Sequence, residues 1–482
     1  MNLSMISLEL AVICLALAVL LIDLWTPRPY KHHLGCLAMA GLIAILVASF
    51  FGAGKGVPWS TTGFNGMFVQ DGLALFFKRI FLVSGIFVVL MGVEFRERIH
   101  LGLGEFFTII LIALAGMMFA ASANDFVMVF VAMEMMSVSF YVLVSFQRTR
   151  SSSLEAGVKY LIMSALSAGV LVFGIALIFG TSGQTGFAAV AAHGADLAQN
   201  KLFWLGVLLV LLGLAFKIAA FPMQMWAPDV YQGAPTPVTA LLAIGSKAAG
   251  FVLLLRILFV AAPALSLQWS KLLIWTAALT ILYGNLCAIP QRSLKRLLGY
   301  SSISNSGYLL LGVAALNLSG SAAVLYYLAG YAFTLAVVFM VLCLVAPEND
   351  DIGVLAGLNR RSPLLALAMT LAMVSLAGLP PLAGFFGKLL LFKAILAHAT
   401  FERTYLWLAL VAIAGVVISI YYYFGVIRAV YWSEGGPDMS PIAVSWPMKL
   451  SVGVCIAAML YLGIFPQSAL SAATEAARVL RF

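Results

Sequence analysis

Charge is what this sequence has least of. Of its 482 residues, 27 are Lys or Arg and 18 are Asp or Glu, so charged residues make up 9% of the chain and hydrophobic ones 63%. A soluble protein carries about 25% charged residues, so the composition excludes a water-soluble globular protein and indicates a polytopic membrane protein. Cysteine is sparse and unpatterned. Cys14, Cys36, Cys287, Cys343 and Cys455 never form a CxxC spacing and read as small apolar residues, not as redox or metal ligands. His32, His33, His100, His193 and His398 fall in loops or near the ends of apolar runs, which leaves a metal site or a histidine relay within the membrane unsupported. The chain lacks a nucleotide-binding glycine loop, a haem signature and an iron–sulfur ligand set. No cofactor is expected in it, and it is not expected to perform redox chemistry alone. It also lacks a basic region ahead of its first apolar run, Leu8 to Leu24, which carries Glu9 near its start. A cleaved signal peptide is not expected there.

What is present is a succession of long apolar runs. A spanning helix needs about 20 mostly apolar residues, and by that measure about fourteen segments qualify. They centre near Leu15, Ile43, Leu82, Leu114, Met133, Val170, Leu209, Leu253, Ile281, Leu310, Ala336, Leu371 through Leu390, Val416 and Ala457. The fold class is therefore all-α polytopic membrane protein. Two segments carry breaks. Pro363 to Ala399 is too long for one straight span and contains Gly378-Leu-Pro-Pro381; Phe203 to Phe221 is interrupted at Pro222. Proline removes a donor and clashes with the preceding turn, so Pro222 leaves the Ile218 carbonyl without its helical partner. Broken backbone at membrane depth is tolerated only where protein or a water-filled cavity surrounds it, and paired breaks point to inverted repeats with a transport site between them. The expected organisation is an N-terminal three-helix part (1–100), a first five-helix repeat (101–264), a second (265–433) and a C-terminal helix (434–482).

The net charge of +9 reflects loop residues that set orientation and is no sign of nucleic-acid binding. One side collects Arg28, Lys31, Arg96, Arg98, Arg148, Arg150, Arg292, Lys295, Arg296, Arg360, Arg361 and Lys449. The side of the termini collects fewer: Lys55, Lys78, Arg79, Lys201, Lys271, Arg403, Arg478 and Arg481. The positive-inside rule puts both termini outside the cytoplasm.

Four charges lie deep inside apolar runs: Glu134, Lys217, Lys247 and Lys388. A charge at the bilayer centre costs about 2.5–3.5 kcal/mol on insertion scales, so four of them suggest an internal relay for ions, most simply protons. Glu134 has no charge within one turn along its helix. Its partner comes from another helix, or it is a structural glutamate satisfied by a serine or a backbone carbonyl. Desolvation disfavours the charged form of a buried lysine and a nearby carboxylate favours it, so making and breaking a lysine–glutamate pair is a candidate switch. The alternative for each lysine is snorkelling toward an interface, a poor option for Lys247, with ten or more mostly apolar or small residues on both sides. Glu155 and Lys159, four apart at the start of the sixth helix, read either as a helix-end ion pair or as the mouth of a proton path. Lys295 and Arg296 read as a basic loop that sets topology.

Three stretches resemble a known family. Lys217 to Val238, containing Phe221-Pro-Met-Gln-Met-Trp-Ala-Pro-Asp229, Lys295 to Tyr308, containing Tyr300-Ser-Ser-Ile-Ser-Asn-Ser306, and Ser375 to Lys388, containing Gly378-Leu-Pro-Pro-Leu-Ala-Gly-Phe-Phe-Gly-Lys388, are similar to signatures of the antiporter-like membrane subunits of respiratory complex I, the NADH-quinone oxidoreductase. The resemblance covers nearly the whole chain. It implies that Glu134 pairs with Lys217, that Lys247 connects toward Lys388 on the broken twelfth helix, and that the subunit moves a proton driven by quinone reduction elsewhere. A lysine at 388 points to the branch with lysine there, as against glutamate. NADH, FMN, iron–sulfur clusters and quinone are implied in other subunits, and the partners are other membrane subunits of a hetero-oligomer in the bacterial inner membrane. The sequence departs from the family at Gln224 and Asn305, where relatives often carry histidine. Both side chains hydrogen-bond, but neither titrates. A cation/proton antiporter or membrane-bound hydrogenase subunit, and a scaffold that has lost transport, are the alternatives.

Overall fold

The computed structural model describes residues 3–51, 60–99, 102–346, 350–399, 403–433 and 440–480. Lys55, His100 and Arg481 lie outside the described residues, and the side chains of Arg28 and His398 are likewise not described. Among the described residues the chain is helical apart from one short hairpin, β1 (Ser60–Gly63) paired antiparallel with β2 (Phe68–Asp71).

Among the described residues, eleven helices are long and apolar enough to cross a membrane. In chain order, the elements that frame the fold are α1 (Ser7–Trp25), α2 (His32–Phe51), α3 (Gly72–Glu94), α4 (Leu103–Ala121), α5 (Phe126–Val144), α6 (Ser151–Ser182), α7 (Lys201–Lys217), α8 (Trp226–Gly233), α9 (Thr236–Ala261), α10 (Ser266–Ala288), α11 (Leu294–Ala314), α12 (Leu318–Val345), α13 (Pro363–Ala377), α14 (Ala383–Ala399), α15 (Arg403–Trp432), α16 (Trp446–Ile464) and α17 (Pro466–Ala477). The starts follow local chemistry. Asp71, Asp125, Asn200, Ser293, Asn317 and Ser445 each accept a backbone N–H of the turn they open, which satisfies donors a helix start leaves orphaned.

Four of the apolar helices, α7, α11, α13 and α14, fall short of the length-and-apolarity criterion for a reason. Helix α7 stops after 17 residues where Pro222 approaches. Helix α11 is long enough but carries a basic first turn and a run of serines. Helices α13 and α14 are the two halves of the segment broken at Gly378–Pro381. Both breaks expected from the prolines are present.

Helices α9 and α12 form the centre and α1, α2, α6 and α16 the periphery. Close approach between neighbouring helices uses glycine. A Cβ on Gly174 of α6 would lie 2.7 Å from the Gly206 carbonyl of α7, and one on Gly284 of α10 2.5 Å from the Ser304 nitrogen of α11. Helix α9 is not uniform. Residues Leu242–Ser246 and Ile257–Ala261 are π-helical, and the ten residues between them, Lys247–Arg256, are α-helical.

Candidate functional site

Lys217 closes the last turn of α7. Beyond it the chain reverses through Ala219, held at φ +53°, before α8 begins. Lys217 is 4% exposed, and its Nζ donates to Ser137 Oγ of α5 at 2.6 Å. The rings of Tyr160 and Phe216 flank the ammonium at 5.7 and 5.8 Å. The carbonyl freed by Pro222 is not left empty: Ser306 Oγ of α11 donates to the Ile218 oxygen, and Trp226 Nε1 donates to the Phe216 oxygen at 2.8 Å.

Lys247 sits at the end of the first π-helical turn of α9 and is 2% exposed. Its Nζ donates to both the backbone oxygen and Oγ of Ser302, the latter at 2.5 Å. Ser302 Oγ also meets the Tyr231 hydroxyl at 3.0 Å, and Ser306 donates to the Ser302 carbonyl at 3.2 Å. A continuous hydrogen-bonded run thus leads from the break beside Lys217, through Ser306 and Ser302, to Lys247. The serines stand four apart on one face of α11.

Beyond Lys247 the lining becomes aromatic. Its Nζ lies 5.6 Å from the Tyr331 ring, Tyr331 stacks on Tyr327 at 5.9 Å, and the Tyr327 hydroxyl donates to Asn305 Oδ1 at 2.7 Å. Asn305 also donates to Ser301 Oγ at 3.4 Å. Lys388, 4% exposed, reaches back across the second break and donates to the Leu376 and Ala377 oxygens at 2.8 and 3.1 Å. Those are the last carbonyls of α13, the negative end of a half-helix. The Tyr308 ring lies 4.8 Å from the ammonium. Gly378 takes φ +84°, and a Cβ there would lie 2.8 Å from Lys388 Cδ.

The structure brings the three lysines into one interior row but does not close the implied contact between Glu134 and Lys217. Glu134 is half-buried on α5, and no ion pair within 4.0 Å joins it to Lys217 among the described residues. Ser137, one turn further along the same helix, takes the hydrogen bond instead.

Glu155 and Lys159 lie apart from this row, in a cleft of about 210 Å³ also lined by Arg150, Asp229, Arg296 and Asp350. Lys159 contacts Glu155 at 2.7 Å and Asp229 at 2.9 Å, and Arg296 contacts Asp229 at 2.5 Å. Two basic residues are not where a loop would put them. Ser293 caps α11 by accepting the Arg296 N–H at 3.1 Å, so Lys295 and Arg296 belong to its first turn. Lys295 is buried and donates to the Ala234 oxygen at 3.0 Å. Lys78 is no surface residue either: it is enclosed on α3 beside Glu9. Ser137, Ser302, Ser306 and Asp229 complete these groups and went unassigned in the sequence. Only the spacing of the serines on α11 and the Trp-Ala-Pro-Asp stretch pointed to any of them.

Residues 123–419 match the family described as NADH:quinone oxidoreductase/Mrp antiporter, TM. The chain belongs to that family. A relative in Trichlorobacter lovleyi named NADH-quinone oxidoreductase subunit N is 39% identical over 99% of this chain and 98% of its own. Among solved structures, a chain of respiratory complex I from Thermus thermophilus is 32% identical with a TM-score of 0.81, covering 96% of this chain and 98% of its own. A chain of the Mrp complex from Dietzia sp. DQ12-45-1b has a TM-score of 0.87 over 100% of this chain and 98% of its own, at 22% identity. That likeness shows the fold alone.

Proposed function

We propose that this chain is a proton-translocating membrane subunit of an NADH-quinone oxidoreductase. It supplies no electron carrier and turns a signal from the quinone site into proton movement. The carrying observation is the row Lys217, Lys247 and Lys388. Each ammonium is enclosed by protein and held by neutral oxygens of serine or backbone, with no carboxylate in contact among the described residues. An ammonium held only by neutral acceptors in a low-dielectric interior gives up its proton more readily than one locked in an ion pair. Glu134, on the helix that carries Ser137, lies outside contact distance of Lys217. Drawing Lys217 toward Glu134 favours its charged form, and releasing it to Ser137 favours loss of the proton. Gln224 and Asn305 do not titrate, so they take part by ordering water and neighbouring hydroxyls.

The cleft around Glu155, Lys159 and Asp229 is the mouth on the basic side of the membrane, and the termini face the other, non-cytoplasmic side. In this reading the two five-helix units from 101 to 264 and from 265 to 433 are inverted repeats, each supplying one break. The names of the relatives favour the respiratory enzyme over the antiporter complex. The test is NADH-driven proton uptake by inverted membrane vesicles carrying the complete complex with Glu134→Ala or Lys217→Ala. Proton uptake per NADH oxidised is expected to fall while the complex remains assembled. An unchanged ratio in either variant sinks the proposal.

A further inference from the structure

Away from the lysine row the structure encloses a second set of charges that the proposed path does not use. Glu9 of α1 and Lys78 of α3 are both 0% exposed, with Lys78 Nζ 2.7 Å from Glu9 Oε1. Lys78 also donates to the side-chain carbonyl of Gln70 and stands 5.0 Å from the Phe68 ring. Beside this pair Arg256 grips Asp71 with both terminal nitrogens, at 3.0 and 2.7 Å, and donates its Nε to the Ala121 oxygen at 2.7 Å. Asp71 in turn caps α3, the helix of Lys78, by accepting the Ala74 N–H at 2.8 Å. Arg79 turns away, to the Ser49 carbonyl at the end of α2. The adjoining halves of α2 and α4, residues 41–51 and 112–121, carry no ionisable side chain. The cluster is two anions and two cations, balanced and enclosed.

The two pairs differ chemically. A guanidinium is not deprotonated in a protein, and its two-pronged grip on Asp71 is the geometry of a fixed bond. Glu9 is held otherwise. Its carboxylate contacts the Lys78 ammonium, and among the described residues no other partner reaches either oxygen. Structural buried pairs need hydrogen bonds to their remaining lone pairs. Passing one proton from Lys78 to Glu9 breaks one N–H bond, forms one O–H bond and leaves a neutral amine and a neutral acid, removing the buried charge altogether.

We propose, building on the proton-translocating reading, that Glu9 and Lys78 are a second proton-handling pair at the face that carries the β-hairpin. Lys78 hands its proton to Glu9, Glu9 releases it to water on that face, and Lys78 takes up another from the membrane interior. One proton crosses and no other atom changes hands. Helix α9 ties this pair to the lysine row. Lys247 and Arg256 end its α-helical segment, nine residues or about 13.5 Å apart, and each adjoins a π-helical turn, a feature frequent at functional sites. When Lys247 changes partner, any shift of the segment reaches Asp71 through Arg256, and with it the first turn of α3.

The experiment compares Glu9→Gln, the charge-neutral double variant Glu9→Gln/Lys78→Met, and Lys217→Ala, each in the complete complex in inverted vesicles. It measures assembly, NADH oxidation and proton uptake per NADH. A pair that handles protons loses uptake in both Glu9 variants. A mere anchor is repaired once the buried charge is balanced, so wild-type uptake in the double variant overturns the proposal. Lys217→Ala separates the two readings: normal uptake there removes the translocating function itself, whereas a loss there with a normal double variant removes only the second pair. If the double variant does not assemble, Glu9→Asp keeps the charge. Its uptake is expected to shift in pH profile relative to NADH oxidation, and an unshifted profile overturns the proposal.

Discussion

Lys388 is held by backbone carbonyls, and that places a demand on a residue with no side chain. The carbonyls of Leu376 and Ala377 face its ammonium because Gly378 ends α13 in the left-handed conformation. An L-residue there costs about 1–2 kcal/mol, and its Cβ would also press on the lysine stem. Gly378→Ala is therefore predicted to push Nζ off both carbonyls and to lower proton uptake per NADH in an assembled complex; normal uptake would show that the carbonyl grip is dispensable. Ser302 makes a matching case at Lys247. Its hydroxyl accepts from the ammonium and meets Tyr231, and a hydrogen bond to a charged group contributes about 1.5–3 kcal/mol. Ser302→Ala should reduce uptake and Ser302→Thr should restore most of it, because threonine keeps the hydroxyl. Equal uptake in the two variants would remove Ser302 from the path. At this scale much was legible. Buried lysines stand out in apolar sequence because nothing apolar explains them. What the sequence did not disclose was the identity of their partners. Whether Lys217 meets Glu134 or Ser137 depends on the rotation of α5 about its axis, and three residues of offset on that helix decide it.

Elements carried a clear signal where proline acts locally. Pro222 and Pro380-Pro381 mark both breaks because a missing donor and a ring clash act within one turn. Lys78 and Lys295 were misplaced for the opposite reason. Each lies within two turns of a helix start, where a charge in linear sequence resembles a loop residue, and only the packing of α2 and α4 on α3 with Glu9 reaching in from α1, or of α11 against the end of α8, encloses it. The π-helical turns of α9 left no pattern in composition. The contact between α9 and the first break rests on Gly250, where a Cβ would come within 2.6 Å of Ile218 Cγ2 and 3.3 Å of Lys217 Cβ. Overpacking a close contact costs about 1–3 kcal/mol. Gly250→Leu is predicted to force α9 off the break and to reduce the amount of assembled complex recovered from membranes, whereas Gly425→Leu, at a glycine with open space around it, should leave that amount unchanged. Equal recovery of the two would show that the contact bears no strain.

The whole molecule separates two kinds of charge. Surface charges gather at the ends of the spans, with the exposed rings of Trp25, Trp432 and Trp446 on the basic side, as interfacial anchors do. Two groups of interior charges meet α9 at opposite ends of its α-helical segment, the lysine row and the Glu9–Lys78–Asp71–Arg256 cluster. Lys247 is the middle of that row, enclosed on every side and joined by hydroxyls to the break at Lys217. The measurement that bears most directly on the row is proton uptake per NADH oxidised in inverted vesicles, wild type against Lys247→Met, which keeps the stem volume and removes the titrating group. The account predicts a lower ratio in a complex that assembles fully. A ratio equal to wild type would contradict it, because no proton could then be passing through Lys247.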